Sequence, residues 1–239
     1  MNFFRKKQDI DNTSMEKGVH MITVSSPKST NTEQFNTIRT NIEFSGVDSS
    51  YKTIMLTSSG MSEGKSTIAA NLAVAFAREG KKVFLIDADL RRPTINATFS
   101  IANPKGITNY LTGSVNSIDD IIYATSVRNL CIVPSGPIPP NPSELIGSKK
   151  MAKLMKILKE SSDLVIYDAP TVLSVTDAQI LSTKVDGTIL VVRRNKTDKS
   201  AVQDAVRMIK HVHGKIIGSI LNDVPVNSNG YYGYYGKEK

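Results

Sequence analysis

The fold is decided by residues 53 to 67, which read Thr53-Ile-Met-Leu-Thr-Ser-Ser-Gly-Met-Ser-Glu-Gly-Lys-Ser-Thr67. The first five residues are apolar or β-branched and predict a short buried strand. The loop that follows ends in Gly64-Lys65-Ser66-Thr67, which fits the phosphate-binding pattern G-x-x-x-x-G-K-[S/T] with Ser59 in place of the first glycine. The next residues place an apolar stripe on one face of a helix. A strand, a glycine-containing loop and a helix in this order are the context that the pattern requires.

The loop has the chemistry to hold the phosphates of a nucleotide. Gly64 lets the backbone approach a phosphate closely, and the nearby amides and the helix N-terminus direct partial positive charge at it. Lys65 is expected to reach the β- and γ-phosphates, and the Ser66 hydroxyl to bind Mg²⁺. We assign nucleotide binding to the loop residues Ser62, Glu63, Gly64, Lys65, Ser66 and Thr67. A chance glycine-rich turn is the plain alternative, which the flanking strand and helix disfavour.

Two further apolar stretches end in carboxylates. The first runs into Asp87 and Asp89, and residues two apart on a strand share one face. Asp168 ends the second, about 100 residues after the phosphate loop. Because open α/β sheets bind ligands at the carboxyl ends of their strands, these acids suit Mg²⁺ or a base that takes a hydroxyl proton. A solvated strand end is the alternative interpretation.

Strands alternate with helices along the rest of the chain, which predicts an α/β fold of the P-loop NTPase type. The sheet should be mostly parallel, with helices on both faces. Further strands are predicted over 129–134, 187–193 and 215–222, and helices over 31–44, 106–111, 117–123, 148–158, 176–183 and from 198. The predicted organisation is a flexible arm over 1–30, one nucleotide-binding domain over 31–223 and a tyrosine-rich tail over 224–239.

Composition limits the class of protein without choosing a function. The 239 residues include 30 Lys and Arg against 22 Asp and Glu, so the net charge of +8 favours anionic partners. The single cysteine, Cys131, indicates a reducing compartment and is interpreted as a small apolar residue in a strand. No apolar run approaches the roughly 20 residues of a membrane span, and no secretory signal follows the basic start. We therefore expect a cytoplasmic protein whose membrane contact is peripheral.

The tail concentrates aromatic residues. Four of the eight tyrosines lie in it, namely Tyr231, Tyr232, Tyr234 and Tyr235, and the glycines between them disfavour regular structure. One interpretation is a passive aromatic segment that binds a partner. The other is a phosphate-acceptor tail, which carries a phenol into a neighbour's active site and gains about −1.5 to −2 of charge per phosphate. The residues alone do not choose between them.

Taken together, these features resemble the bacterial tyrosine kinases of capsule and exopolysaccharide biosynthesis (BY-kinases), a branch of the P-loop ATPases. The resemblance covers about residues 31–239. Its specific marks are the family's second Walker motif, Leu85-Ile-Asp-Ala-Asp-Leu-Arg-Arg-Pro93, and the terminal tyrosine cluster. The phosphate loop and Asp168 are shared with many ATPases. The H-R-D and D-F-G triplets of eukaryotic kinases are absent from the sequence.

The resemblance implies an autokinase that uses ATP and Mg²⁺, phosphorylates the tail tyrosines in trans between subunits, and regulates capsular or exopolysaccharide synthesis and export. It assigns phosphate binding to Lys65 and the Mg²⁺ shell to Ser66, Asp89 and Asp168. It further assigns the tyrosine base to Asp87, a role in activation or phosphate charge to Arg91, and an adenine contact to Asn222.

The resemblance also implies partners. They are a separate transmembrane activator (a polysaccharide co-polymerase) that binds through its cytoplasmic segment, a cognate tyrosine phosphatase, and other copies of the chain in a ring. The chain departs from the family pattern at three places. Met61-Ser62 replaces Pro-Gly, Ala169-Pro-Thr171 replaces Thr-Pro-Pro, and Asn36 replaces the first arginine of the Glu-x-x-Arg-x-x-Arg subunit-contact helix. The last change is expected to weaken ring assembly.

Two other classes compete with the kinase. A partitioning or division-site ATPase would be a nucleotide-switched binder, but it carries a second lysine five residues before Lys65, where this chain has Gly60. A nucleic-acid-binding protein would rest on the charge of +8 alone, without a recognition helix or an aromatic-basic platform. We therefore expect no nucleic-acid partner.

Overall fold

The computed structural model describes residues 13–46, 50–102 and 104–225. These residues form one seven-stranded sheet. The strands are β1 (Thr53–Ser58), β2 (Val83–Asp87), β3 (Tyr123–Ala124), β4 (Leu130–Val133), β5 (Leu164–Asp168), β6 (Gly187–Arg193) and β7 (Ile216–Asn222). Their order across the sheet is β3-β4-β2-β5-β1-β6-β7.

Helices connect the strands. They are α1 (Thr13–Lys17), α2 (Ile22–Ser25), α3 (Thr30–Ser45), α4 (Lys65–Arg78), α5 (Ile95–Thr98), α6 (Ile107–Thr112), α7 (Pro142–Gly147), α8 (Lys149–Glu160), α9 (Asp177–Ser182) and α10 (Lys199–His211). In the described residues, none is long and apolar enough to cross a bilayer.

The strands β4, β2, β5, β1, β6 and β7 pair in parallel, and β3 adds an antiparallel edge. This arrangement confirms the predicted fold class. Asp87 and Asp168 are direct partners in the β2–β5 register, so two of the predicted acids end neighbouring strands at one edge of the sheet.

The two faces of the sheet carry separate apolar cores, as expected for helices on both sides. Alternate residues of β1 illustrate this, because Ile54 and Leu56 pack with α4, whereas Met55 packs with α6 and α8. Helix α4 is buried along most of its length. It is therefore held rigidly at the point where the phosphate loop enters it.

The predicted helix over 117–123 is wrong. The chain there forms a 3-10 turn over Asp119–Ile121 and then the strand β3, whose Tyr123 and Ala124 pair with Ile132 and Cys131. A segment this short is too short for its apolar spacing to distinguish a helix from a strand. Here the segment becomes a strand because it pairs with the open edge of β4.

The expected flexible arm needs correction for residues 13–25, which form α1 and α2 and pack on the domain. Asn71 of α4 is fully buried, and its side-chain oxygen accepts from the amide and the hydroxyl of Thr23 at 2.9 and 2.8 Å. Its amide nitrogen donates to the His20 carbonyl at 2.8 Å. These hydrogen bonds join polar groups. Such contacts leave no apolar periodicity in a sequence, so they could not be predicted from it. Residues 1–12 lie outside the described part of the chain.

Candidate active site

The phosphate loop, residues 59–64, turns the chain from β1 into α4. Gly64 has φ +95°, and a Cβ added to it would lie 2.2 Å from Asn222 Nδ2. The left-handed backbone favours glycine there, and a side chain would also displace Asn222. Ser62 has φ +59°, at one of the positions where the chain departs from the family's Pro-Gly. A left-handed residue with a side chain costs about 1 kcal/mol, so the loop keeps this shape under modest strain.

Side chains within the loop hold its shape. Glu63 is buried, and its Oε1 accepts from the Ser59 hydroxyl and the Gly60 amide at 3.0 Å each. Asn222, at the end of β7, donates from Nδ2 to the Glu63 carbonyl at 3.0 Å. Ser59 therefore replaces the usual first glycine with a hydroxyl that braces the loop. Glu63 and Asn222 support the loop in this structure, and the adenine contact of Asn222 stays a prediction.

Lys65 is the first residue of α4 and brings a cation to the acids. Its Nζ lies 2.9 Å from Asp89 Oδ2 and 3.6 Å from Asp168 Oδ1. Burial alone would lower the pKa of Lys65, but the carboxylates of Asp168 and Asp89 outweigh it and raise that pKa. The ammonium is therefore charged throughout the physiological pH range.

Asp87 and Asp89 differ in their hydrogen-bond partners, because only Asp87 belongs to β2. Strand β2 ends at Asp87, whose Oδ2 accepts from the amides of Thr94 and Ile95 at 2.9 Å each. Its Oδ1 is buried without a hydrogen-bond partner. Burial, and then the carboxylate of Asp168, raise the pKa of Asp87 well above its usual value. Asp89 lies beyond the strand and faces Lys65.

Asp168 and Ser66 fit a divalent metal. Asp168 is fully buried at the end of β5, and neither of its carboxylate oxygens has a hydrogen-bond partner of good geometry. Burial raises the pKa of Asp168, while Lys65 and the Ser66 hydroxyl act against the rise. Among the described residues, no group of three or more His, Cys, Asp or Glu could hold a metal by itself. A hard cation that takes one or two carboxylates and completes its shell with phosphate and water fits this set.

An open cavity of about 430 Å³ lies in front of the loop. Its walls include the predicted site residues Ser62, Gly64, Lys65, Ser66, Thr67, Asp89 and Arg91. They also include Arg193, Ser14 and Val19, which sequence reasoning missed. Arg193 ends β6 and donates to the Ser62 carbonyl at 3.2 Å, so the rule that ligands bind at strand ends could have found it. The N-terminal residues carried no recognisable signal.

Arg91 lines the cavity and is paired with an acid. Its Nε donates to Asp177 Oδ2 at 2.9 Å, and its Nη2 donates to Asp177 Oδ1 at 3.1 Å. The hydrogen bonds from Arg91 to buried Asp177 raise the pKa of the guanidinium further. Asp177 begins α9 and is not among the predicted site residues. The structure thus places Arg91 at the cavity wall with its charge already paired.

Two predicted features lie away from this cavity or outside the described residues. The acceptor tyrosines, Tyr231, Tyr232, Tyr234 and Tyr235, are among residues 226–239, which the structure does not describe. On α3, the Asn36 side chain donates to Glu33 Oε1 at 3.2 Å within the helix, and Arg39 pairs with Glu79 at 2.7 Å.

Comparison with known proteins agrees with this geometry. A family model described as an AAA domain matches residues 51–221. Tyrosine-protein kinase YwqD of Bacillus subtilis is 45% identical over 217 residues, which is 91% of each chain. Putative tyrosine-protein kinase CapB of Staphylococcus aureus is 39% identical over 213 residues, or 89% of this chain and 93% of that protein. The crystal structure of the chimerical protein CapA2B2 aligns with a TM-score of 0.82 and 39% identity, covering 86% of this chain and 90% of that one.

The fold, the phosphate loop with its acids, and the relatives agree. A P-loop domain of this kind binds a nucleotide with a divalent metal. The partitioning and division-site alternative is disfavoured, because the close relatives are named as tyrosine kinases over nearly the whole chain. The chain belongs to the bacterial tyrosine-protein kinases and is built on their AAA-type P-loop domain.

Proposed function

We propose that this kinase transfers the γ-phosphoryl group of ATP, bound with Mg²⁺, to tail tyrosines of a second copy of the chain. Through this autophosphorylation it regulates capsular or exopolysaccharide synthesis and export. The observation that carries the proposal is the meeting of Lys65 with Asp89 and Asp168 at the end of the phosphate loop. The loop holds the phosphates, and the acids and the Ser66 hydroxyl hold the metal.

The transfer breaks the bond between the γ-phosphorus and the oxygen that bridges to the β-phosphate, and forms a bond to the phenol oxygen. ADP leaves with the bridging oxygen, and the phenol proton passes to a carboxylate. When bound, Mg²⁺ neutralises phosphate charge. We assign the proton to Asp87, because its Oδ1 has no hydrogen-bond partner and its pKa is raised by burial and by Asp168. Asp89 lines the cavity and is the alternative acceptor.

The start of the tail lies close to the site, which supports the acceptor role. Strand β7 ends at Asn222, whose side chain contacts the phosphate loop. Tyr231 lies six residues after Pro225, and six residues span at most about 20 Å. Reach alone would allow a copy to phosphorylate itself, so transfer between copies has to be tested directly.

The remaining parts of the proposal concern partners and location. We propose that the kinase is cytoplasmic and is held at the inner face of the membrane by the cytoplasmic segment of a separate transmembrane activator. A cognate phosphatase would reverse the reaction. In the subunit-contact helix, Asn36 bonds within its own helix, which supports the expectation that it weakens a ring.

A mixing experiment tests transfer between copies. The acceptor is Lys65→Met with an intact tail, and the donor carries Phe at Tyr231, Tyr232, Tyr234 and Tyr235. Each should stay unlabelled at the tail when incubated alone with ATP and Mg²⁺. In the mixture, phosphosite mass spectrometry should find phosphate on the tail of the acceptor.

Three other outcomes contradict parts of the proposal. A donor that labels itself as strongly as the parent chain would show that the acceptors lie elsewhere. A labelled parent chain with an unlabelled mixture would show transfer within one copy. ATP hydrolysis without any phosphotyrosine, with or without the activator's segment, would favour a partitioning-type switch.

A further inference from the structure

Arg91, Asp177 and Ser143 form a hydrogen-bonded cluster at the cavity wall, which we call the clamp. Two parallel hydrogen bonds, at 2.9 and 3.1 Å, join the Arg91 guanidinium to both carboxylate oxygens of Asp177. The Asp177 side chain is 1% exposed, whereas Arg91 is 38% exposed. Two-point pairs of this kind fix the orientation of the arginine as well as its position.

Ser143 of α7 completes the clamp. Its hydroxyl donates to Asp177 Oδ1 at 2.5 Å and accepts from Arg91 Nη2 at 3.2 Å. Thr176 lies 3.3 Å from the same hydroxyl. The buried carboxylate is therefore bonded from two different segments of the chain.

The clamp connects the two loops that carry the metal-site acids. On one side, the amides of Arg91 and Arg92 donate to Asp89 Oδ1 at 3.3 and 3.0 Å. This leaves Asp89 Oδ2 directed at Lys65 Nζ, 2.9 Å away. On the other side, Asp177 begins α9 shortly after the loop that follows Asp168. Holding the Arg91 side chain thus also holds the backbone that orients Asp89.

We propose that Asp177, with Ser143, is a positioning residue of the kinase, which fixes Arg91 and through it the orientation of Asp89 toward Lys65 and the metal. The inference rests on the proposed role of Asp89 in holding Mg²⁺. It assigns Arg91 a supporting role at the cavity wall, since its charge is already compensated by Asp177. Misplacing a group by about 1 Å can cost about 10²-fold in rate, so a buried clamp two residues from a metal ligand can matter.

The test measures binding of a fluorescent ADP analogue as Mg²⁺ is titrated, together with the rate of tail phosphorylation. For Asp177→Asn we expect the Mg²⁺ concentration at half-maximal binding to rise about fivefold or more, and the rate to fall about 10-fold. Binding without Mg²⁺ should stay within about twofold, because the loop is untouched. Asp204→Asn, which breaks an exposed pair with Arg207 on α10, is the matched control.

A double variant separates positioning from other roles. If Arg91 acts through Asp177, Arg91→Ala with Asp177→Asn should lose no more than Arg91→Ala alone. Losses that multiply, or an unchanged Mg²⁺ requirement in Asp177→Asn, would overturn the proposal.

A second variant and the ADP titration cover two cases that the tests above leave open. If Asp177→Asn does not fold, Ser143→Ala decides, because it removes one bond and leaves the ion pair. A Mg²⁺ requirement raised about threefold then supports positioning, and an unchanged requirement refutes it. The ADP titration does not depend on phosphorylation. A wild-type chain that binds ADP with Mg²⁺ but labels no tyrosine would therefore refute the proposed function and leave the clamp testable.

Discussion

Asp87 and Asp89 stand two residues apart in one motif, yet their hydrogen-bond partners differ. Asp87 accepts from two backbone amides and lies beside another carboxylate in the sheet register. Asp89 lies past the end of β2, lines the cavity and faces an ammonium at 2.9 Å. Motif spacing brings both acids to one site, but the end of the strand decides which groups each carboxylate bonds.

A third acid shows how much of the Asp87 arrangement is structural. Asp186 Oδ2 accepts from the amides of Lys52 and Thr53 at 3.0 and 2.9 Å, much as Asp87 accepts from Thr94 and Ile95. It lies at the amino-terminal end of β1, away from the phosphate loop, and pairs with Lys159 at 2.7 Å. Accepting two amides is therefore not in itself a sign of catalysis. The three acids make a graded set of variants.

The largest effect is expected for Asp89→Asn. The amide oxygen can still accept from residues 91 and 92, so the loop should hold, while the charge that faces Lys65 and the metal is lost. We expect tail phosphorylation to fall about 10³-fold, since removing a group that stabilises developing charge typically costs about 10²–10³-fold. Single-turnover labelling with ATP measures this. If the rate of tail phosphorylation falls less than 10-fold, Asp89 does not hold the metal, and Asp168 binds it without Asp89.

Asp87→Asn should cost less, about 10²-fold, if Asp87 is the base. Its pKa is raised by burial and by Asp168, and the base must be deprotonated. The wild-type rate should therefore fall as pH drops through that raised pKa, and the variant should lose this dependence. If Asp87→Asn phosphorylates the tail at the wild-type rate, Asp87 is not the base. Its role would then be structural, like that of Asp186.

The pH dependence of the free energy of unfolding tests whether the pKa of Asp87 is raised. At pH values between the unfolded pKa, about 4, and the raised folded-state pKa, the folded protein keeps a proton on Asp87 that the unfolded chain has released. The stability due to this group is thus complete below the unfolded pKa and is lost as pH rises through the folded-state pKa. Urea unfolding at several pH values should show this fall in the parent and not in Asp87→Asn.

The smallest effect is expected for Asp186→Asn, with kinase activity within about twofold of the parent. Partial burial would raise the pKa of Asp186, but hydrogen bonds from Lys159 and Thr53 lower it overall. Its stability contribution, about 1 kcal/mol, is present above the unfolded pKa and is lost as pH falls through the lower folded pKa. Urea unfolding at pH 7 and at acidic pH measures it. A large loss of activity would show that the site depends on the far end of the sheet.

Sequence reasoning was most successful where one local pattern implies one local geometry. Residues 53–67 predicted a strand, a glycine loop and a helix, and the structure has each of them in place. The apolar stretch that was predicted to end at Asp168 is strand β5, which ends at that residue. The helix over 117–123 failed, because a short run beside an open strand edge can pair instead.

What the sequence by itself determined is the identity of the phosphate loop, the acids at the strand ends and the parallel sheet that brings them together, because these follow from residue type and spacing along one segment. The tertiary structure alone decided that Asp87 accepts from the amides of Thr94 and Ile95 while Asp89 meets Lys65, that Asp177 holds Arg91, and that Thr23 docks on Asn71. Those contacts join residues far apart in the chain, between 24 and 86 positions for the three long-range pairs. Hydrogen bonds between distant polar side chains leave no periodic trace in a sequence, since any number of partners could satisfy them until the fold fixes the distances.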